Sequence, residues 1–424
     1  MTANNPILND AILALSACNI GRFYSERKMH PTEPMELLSP SLIHQTRSQL
    51  FYSSAIKKLT AMQPSDYNQN PTIILTALIL FAHLESAMGN FQGFYCHVQG
   101  MMNLLEGRRE REGTGEGTIT SLLTSWMQIR YVVWWARAYF SSLDIHQHLP
   151  SIPIPISLRK SPETLHERRV RVLSIMCESH RLNFKAVLQH FRHPASNPEE
   201  SDRDLDAIYA DSSFLLAQQA AILDDCLLHL PSSEQPIYLD GATNIHFHSH
   251  DAALNYAYYV VARIMQCTGV LQLLHSQSTA LQDGREEDLW AQTLVQIAQG
   301  IDMQTCVTRN SYTIGFSGLL LAGILRCRIL SIGLEIQHWL QTLSDLHPTE
   351  EGAFPVYQTL SVVKVINQLR MVGRDVFAVT QPVDDGGGNP KVTAYNSQSI
   401  RSLLFHGRYR GRDCLFEECI TLGI

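Results

Sequence analysis

The chain has 424 residues, a formal net charge of −7 and an apolar fraction of 45%. This composition is ordinary for a globular protein and excludes an intrinsically disordered chain. The negative net charge excludes a generally basic protein that coats phosphates, although it leaves room for a local basic patch.

Two Asn-Pro pairs predict the starts of helices in the first hundred residues. Asn5-Pro6 and Asn70-Pro71 each combine a good N-cap with a proline at the first helical position. Apolar residues recur at helical spacing after both pairs, and Gly89 is a natural stop for the second of these helices. A further helix is predicted from Phe91 to Glu106.

Long helical patterns follow through the rest of the chain. They cover about 118–143, 163–190, 202–230, 249–276, 286–309, 316–343 and 354–379. No hairpin dipeptide lies between alternating apolar runs, so little or no β-sheet is expected. We predict one all-α body of about twelve helices over residues 1–424, with a sub-boundary near 144–162 and a flexible loop over 381–397.

The cysteines and the apolar stretches bear on the compartment. Nine cysteines are scattered without any Cys-x-x-Cys pair, which is typical of reduced, buried thiols in a nuclear or cytoplasmic protein. The first ten residues show no signal-peptide pattern, and no uncharged stretch reaches the roughly 20 apolar residues that span a membrane. We therefore expect neither secretion nor a membrane span.

Three alternating histidines raise the question of a metal site. His246, His248 and His250 would share one face of a strand, where they could chelate a metal. In a loop that enters a helix they would lie at the surface instead, with Ser249 or Asp251 as the helix cap. No further ligands at helical spacing accompany them, so we expect no metal and no cofactor.

A small basic group near the C-terminal end suggests nucleic-acid contact. Three acidic residues follow it closely and reduce its positive charge, so an ordinary solvated segment is the favoured interpretation. They are Asp413, Glu417 and Glu418. The basic residues are Arg401, His406, Arg408, Arg410 and Arg412.

Two aromatic segments are candidates for a small-ligand pocket. Trp134, Trp135 and Arg137 lie close together in one, and Tyr258 and Arg263 lie in the other. Rings with a nearby guanidinium suit an apolar ligand that carries a few polar groups. A packed helix–helix core with a paired arginine is the alternative.

Candidates for acid–base chemistry can be chosen by residue type alone. They are Glu85, His97 and Tyr259. Each could donate or accept a proton in a shaped apolar pocket. An ordinary core or surface role is the alternative for each.

Several segments together resemble the fungal-specific transcription factor domain, the helical middle homology region of zinc-cluster regulators. The first helix of that domain is similar to residues 5–17, and the second to the segment around Ala55, Ile56 and Leu59. The third and fourth helices, and a later Ala/Tyr-rich helix ending in Ala-Arg-Ile, are similar to segments that contain Leu78, Leu80, Phe81, Glu85, Gly89, His97, Gly100, Met101, Leu104, Leu105 and residues 251–264.

This resemblance implies a helical regulatory domain in a fungal regulator of a biosynthetic, secondary-metabolite gene set. The family's six-cysteine zinc cluster has no counterpart in this sequence, so we expect no direct zinc-cluster DNA binding. Two explanations stay open, a regulator that acts through a partner or belongs to a longer gene, and a domain reused to bind or convert a small molecule.

The sequence thus leads to two functional hypotheses. The first is a transcription-regulator-like protein that binds a small apolar metabolite or a partner regulator, with a homodimer left open. The second is an enzyme on the same helical scaffold, a cyclase or isomerase that needs no cofactor and acts on an apolar biosynthetic intermediate.

Overall fold

The computed structural model describes residues 5–24, 26–29, 36–39, 41–63, 70–88, 90–106, 116–139, 151–154, 164–192, 198–239, 241, 243–275, 286–348, 350–352, 354–382, 402–412 and 414–422. These form two compact units, with residues 5–133 in unit one and residues 134–382 and 402–422 in unit two. Most of the described residues are helical and the strands are few and short, which confirms the predicted helical body. The predicted sub-boundary at 144–162 and loop at 381–397 lie almost wholly outside the described residues.

The described residues of unit one form helices and one short hairpin. In chain order its elements are α1 (Pro6–Phe23), β1 (Glu26–Met29), β2 (Glu36–Ser39), α2 (Leu42–Thr60), α3 (Pro71–Met88), α4 (Phe91–Glu106) and the first part of α5 (Glu116–Tyr139). Helix α1 packs against α2 and α3, and α3 packs against α4. The division between the units falls inside α5, between Val133 and Trp134.

The predicted Asn-Pro helix start is confirmed at α1. The Asn5 side-chain oxygen accepts hydrogen bonds from the backbone N–H groups of Ile7 at 3.0 Å and Leu8 at 3.2 Å. Two of the N–H groups that the first turn leaves unpaired are satisfied in this way. The helix predicted at Asn70-Pro71 begins at Pro71 and ends at Met88, and α4 has the predicted bounds.

In its described residues, unit two holds the remaining helices and three small sheets. After the last part of α5 come α6 (Leu165–Arg192), α7 (Pro198–Leu228), a 3₁₀ turn (Ser232–Glu234), β3 (Ile237–Tyr238), β4 (Ile245–His246), α8 (His250–Gln266), α9 (Gly269–His275), α10 (Glu286–Gln299), α11 (Met303–Arg309), α12 (Phe316–Ile324), α13 (Leu330–Asp345), β5 (Glu350–Glu351), β6 (Phe354–Pro355), α14 (Val356–Met371), β7 (Arg374–Thr380), β8 (Ser402–Tyr409) and β9 (Leu415–Thr421). Helix α8 is central, since it packs against α6, α7, α10 and α12.

Helix α12 is buried along its whole length, and its first turn is capped by an acid from a distant segment. Glu351 Oε1 accepts from the Phe316 backbone N–H at 2.9 Å, and Oε2 accepts from the Ser317 backbone N–H at 2.7 Å. The Asn310 amide also donates to Oε1. The buried carboxylate therefore faces the positive end of the helix dipole, which offsets part of its desolvation.

The opposite end of α12 meets buried arginines. Arg370 Nη2 donates to the carbonyl oxygens of Ile324 and Cys327, where the helix has run out of its own donors. The positive guanidinium also matches the negative end of the dipole. An apolar helix of only nine residues is thus matched in charge and hydrogen bonding at both ends.

The C-terminal segment of the chain differs from its predicted form. Residues 402–409 and 415–421 are strands β8 and β9. Strand β8 lies in the middle of a three-stranded sheet and pairs antiparallel with β7 on one side and β9 on the other. His406 and Arg408 are buried, whereas Arg410, which pairs with Asp375, and Arg412 are exposed, so the basic residues of this segment are solvated only in part. Arg401 lies outside the described residues.

Three long helical patterns are each divided in the structure. The pattern at 249–276 breaks after Gln266 and the one at 316–343 breaks after Ile324. The pattern at 286–309 breaks at Gly300, and Asp302 caps the next helix by accepting from the N–H groups of Gln304 and Thr305 at 3.2 Å. Periodic apolar residues continue across each break, so the periodicity did not reveal it.

Candidate functional site

A hydrogen-bonded group of three polar side chains lies inside unit one. Tyr52 comes from α2, Glu85 from α3 and His97 from α4. The Tyr52 hydroxyl donates to Glu85 Oε1 and lies 2.7 Å from His97 Nε2. His97 Nε2 is 3.9 Å from Glu85 Oε1. These three residues are called the polar cluster below.

Helical spacing explains how α2 brings Tyr52 inward. Ser48, Tyr52 and Ala55 stand at i, i+4 and i+7, and therefore share one face of the helix. Ser48 and Ala55 are buried on that face, and Ser48 Oγ donates to the Ala14 carbonyl of α1 at 2.8 Å. The bond holds α2 against α1 and directs Tyr52 into unit one.

The same spacing aligns the other two residues. Phe81 and Glu85 are four positions apart on α3, and Gly93 and His97 are four positions apart on α4. The Phe81 ring lies 5.2 Å from the Tyr52 ring and 5.3 Å from the His97 ring between centroids. One apolar ring thus packs beside two members of the polar cluster.

Burial differs among the three members. Glu85 is 4% exposed, whereas 14% of the His97 side chain and part of Tyr52 remain exposed. The carboxyl group of the polar cluster is therefore buried, while its imidazole and phenol groups are partly exposed. Burial, reinforced by the hydrogen bond to Glu85, raises the pKa of Tyr52 well above its ordinary value, so its hydroxyl keeps its proton at neutral pH.

Two hydrogen arrangements satisfy the polar cluster. In one, His97 is an imidazolium with hydrogens on both nitrogens and donates from Nε2 to Tyr52 Oη, while the hydroxyl donates to the Glu85 carboxylate. In the other, Glu85 carries the hydrogen and the hydroxyl donates to His97. The two differ only by the transfer of protons along the chain of hydrogen bonds, which is the property of a proton relay.

The second oxygen of Glu85 makes no hydrogen bond to any described residue. Glu85 Oε2 is buried, and an unpaired buried acceptor costs about 1–3 kcal/mol. The carboxyl group lies against α4 where that helix has a glycine, because a Cβ on Gly93 would stand 2.4 Å from Glu85 Cδ and Oε1. The acid is therefore held in place while one of its acceptor positions stays open.

One thiol of unit one, that of Cys18, is also influenced by the charge of Glu85. Cys18 on α1 is buried, and burial raises the pKa of its thiol, with the charge of Arg22 opposing this effect and that of Glu85 adding to it. A thiol with a raised pKa is mostly protonated at neutral pH and is a poor nucleophile. Cys18 therefore offers no thiolate chemistry beside the polar cluster.

The predicted aromatic segment on α5 belongs to a dense ring cluster of unit two. The centroids of Trp134 and Trp135 lie 5.9 Å and 4.9 Å from that of His180, and Tyr139 stacks on His180 at 5.0 Å. Both tryptophans are buried, and Arg137 is half-buried. The core interpretation of this segment and the ligand interpretation both predict such rings.

The α8 candidates are held by structural contacts in unit two. The Tyr258 hydroxyl donates to the Ile314 carbonyl at 2.9 Å, and Arg263 pairs with Asp224 of α7. Tyr259 is 3% exposed, and burial raises its pKa well above the ordinary value. Tyr259 belongs to a different unit from Glu85 and His97, so the three acid–base candidates do not lie in one unit.

The three alternating histidines take different environments. His246 lies in β4, His248 is exposed, and His250 begins α8, where its Nε2 is 2.8 Å from Asn310 Oδ1. Ser249 is the predicted cap, since its hydroxyl accepts from the Ala252 N–H at 3.1 Å. Within the described ranges, no three His, Cys, Asp or Glu side chains are grouped as metal ligands.

One described helix is long and apolar enough to cross a membrane. It is α3, whose mean hydropathy is 1.6 over 18 residues, of which 44% are buried. It carries Glu85 and packs against α1 and α4, as core helices of the same length and composition also do.

Sequence reasoning missed Tyr52 and His180. Tyr52 links the two acid–base candidates of unit one, and the signal for it was its place on the helix face of Ser48 and Ala55, four residues after one and three before the other. His180 lies at the centre of the ring cluster, but nothing in the sequence around it distinguishes it from an ordinary helical histidine.

No protein-family model, curated protein or solved structure matches this chain. Function is therefore proposed from the contacts of the described residues and from the resemblance stated above.

Proposed function

We propose that this chain is a transcription-regulator-like protein that binds a small, mostly apolar molecule at the polar cluster of unit one. The observation that carries the proposal is the buried Glu85 Oε2, which accepts no hydrogen bond from any described residue. A ligand that donates a hydrogen bond there recovers the free energy that the open acceptor costs. The resemblance to the fungal regulatory domain supports the regulatory part of the proposal.

The surroundings of Glu85 limit the chemistry of such a ligand. An alcohol, phenol or protonated amine can donate to Oε2, whereas a carboxylate would be repelled. The Phe81 ring, and the ring faces of Tyr52 and His97, suit an apolar body. The favoured ligand is thus a small apolar molecule with one hydroxyl or amine.

Regulation requires that the ligand bind one state of the protein better than another. Helices α2, α3 and α4 each supply one member of the polar cluster, so a ligand at Glu85 would bias how these three helices pack. A changed helix surface can then alter the affinity for a partner regulator. Such a partner would contact the DNA.

A gene-replacement experiment in the producing fungus tests this proposal. Strains carry a deletion, Tyr52→Phe, Glu85→Gln or the control Tyr95→Phe, and transcripts and small metabolites are measured in the same cultures. Tyr95 is exposed on α4, so its variant removes a hydroxyl outside the polar cluster. We expect the deletion and both cluster variants to lower transcripts of one gene set several-fold, and Tyr95→Phe to leave them unchanged.

The second candidate is a cofactor-free cyclase or isomerase, favoured by the two hydrogen arrangements of the polar cluster. Glu85 Oε2 would take a proton from the substrate, and Tyr52 and His97 would return one through the relay. The same strains distinguish the two functions. Steady transcripts together with one accumulating intermediate would refute the regulator and identify the substrate of an enzyme.

A further inference from the structure

A buried arginine in unit two has no acidic neighbour among the described residues. Arg326 is 1% exposed and follows the end of α12. Its Nη1 donates to the Phe377 carbonyl at 2.6 Å and to the Leu325 carbonyl at 3.2 Å, while Nε and Nη2 make no hydrogen bond to any described residue. A buried cation that keeps unused donors is costly unless an anion joins it.

Capping of the helix does not explain this arrangement. Arg370 caps the same helix end, and the charges of Asp375 and Asp288 both act on it. For Arg326, the only other ionisable group among the described residues with a resolved influence on its pKa is Tyr139. Burial lowers the pKa of Arg326 to about 10, so the guanidinium is still charged at neutral pH.

Other unused hydrogen-bonding groups occur in the same ring cluster. Tyr139 Oη and Trp135 Nε1 are buried without a described partner, and their ring centroids are 5.3 Å apart. Both rings contact His180, which contacts Phe184 at 5.1 Å. The Arg326 guanidinium lies 5.9 Å from the Phe184 ring. Arg326 is therefore linked to Tyr139 and Trp135 by successive contacts through the rings of Phe184 and His180.

The unpaired groups of Arg326, Trp135 and Tyr139 are all hydrogen-bond donors. Arg326 and the Trp135 indole can only donate, and burial raises the pKa of Tyr139 far enough that its hydroxyl also keeps a hydrogen to donate. A group that matches several donors and one positive charge is an anion with two or more acceptor oxygens. Apolar rings beside such donors suit an organic acid rather than a hydrated inorganic ion.

We propose that Arg326, Tyr139 and Trp135 form a binding site in unit two for the carboxylate of a small organic acid. The carboxylate accepts from Arg326 Nε and Nη2, which match it as a bidentate pair. The rings of Trp135, Tyr139 and Phe184 contact its apolar part. This site is separate from the polar cluster, which favours a hydrogen-bond donor, so the two sites would recognise opposite ligand chemistry.

Binding of simple acids to the full chain tests the proposal. Titration calorimetry and thermal unfolding are run with sodium acetate and sodium benzoate, with benzamide as the neutral analogue and sodium chloride at equal ionic strength. We expect at least one of the two acids to bind and to raise Tm, and benzamide and chloride to have no such effect. No binding of either acid, or an equal effect of chloride, would overturn the proposal.

Variants assign the effect to the site. Arg326→Gln should weaken binding of the acid about tenfold or more, as expected for the loss of a charged bidentate partner. Arg370→Gln is the matched control, since it removes the other buried arginine of the same helix end and should leave the acid affinity unchanged. Equal affinity in Arg326→Gln and wild type would refute the assignment.

A second pair of variants covers the case in which Arg326→Gln does not fold. Tyr139→Phe and Trp135→Phe keep aromatic rings and remove only the buried donors, so both should fold. Each should weaken binding of the acid about threefold or more. Unchanged affinity in both would overturn the site, whatever the fate of the arginine variant.

Discussion

Replacement of Gly93 by alanine tests how Glu85 is held. The new Cβ would stand 2.4 Å from Glu85 Cδ and Oε1 and 2.8 Å from Asn90 Nδ2, distances that real Cβ contacts do not reach. The Glu85 carboxyl group must then move, and its hydrogen bond from Tyr52 is lost. A hydrogen bond to a carboxylate contributes about 1.5–3 kcal/mol, while alanine gains about 1 kcal/mol over glycine in a helix.

The two effects together leave Gly93→Ala about 0.5–2 kcal/mol less stable than wild type. Gly100 on the same helix is the matched control, because a Cβ there would meet only Leu78 side-chain carbons at 3.6 and 3.9 Å. Gly100→Ala should therefore gain up to about 1 kcal/mol. Urea unfolding followed by circular dichroism measures both changes.

A thermodynamic cycle separates the collision with Glu85 from other effects of the new methyl group. In a Glu85→Ala background only the contact with the Asn90 amide at 2.8 Å remains, so Gly93→Ala should be less destabilising there than in the wild-type background. If Gly93→Ala were as stabilising as Gly100→Ala in the wild-type background, the close approach of Glu85 to α4 would be refuted.

The shifted pKa values of two buried groups, His406 and Glu351, predict how the stability of the fold depends on pH. Burial lowers the pKa of His406 to about 4 from 6.5, so its contribution is present above pH 6.5 and is lost as the pH falls toward 4. Relative to His406→Gln, wild type should lose up to about 3 kcal/mol over that range in urea unfolding, and equal losses would contradict the predicted shift. Burial raises the pKa of Glu351, so its contribution is complete below pH 4.5 and declines as the pH rises through the folded-state pKa. Wild type should accordingly be most favoured over Glu351→Gln in acid, and a difference that does not change with pH would count against a raised pKa.

The sequence predicted helices well where local chemistry marks their ends. Asn5-Pro6 and Asn70-Pro71 are local signals, because a cap and a proline act within one turn. Strand β7 was predicted as the end of a helix over 354–379. Its residues Val376 to Val379 are all buried, and a fully buried apolar run looks the same in a strand as in a helix. Gly373, which has a φ of 75° just before the strand, was the local signal for the break.

The polar cluster was predictable only in part. Glu85 and His97 could be selected because a carboxylate and an imidazole stand out in apolar helices. Their connection could not be predicted, since it depends on Tyr52, which is 33 positions from Glu85 and 45 from His97. Arg326 could not be selected from the sequence, because the lack of an acidic neighbour among the described residues is a property of the packed core.

Helix α12 also bears on the order in which unit two folds. A nine-residue helix is too short to persist in water on its own. Its N-terminal partner Glu351 follows Phe316 by 35 positions, and its C-terminal partner Arg370 follows Ile324 by 46. A growing chain that has not yet reached Glu351 leaves both ends of α12 without these hydrogen-bond partners. One that has reached Glu351 but not Arg370 still leaves the C-terminal end without its partner. The helix therefore becomes stable late, together with α13 and α14, and a chain cut short between Ile324 and Arg370 should lack the core of this unit rather than merely its last strands.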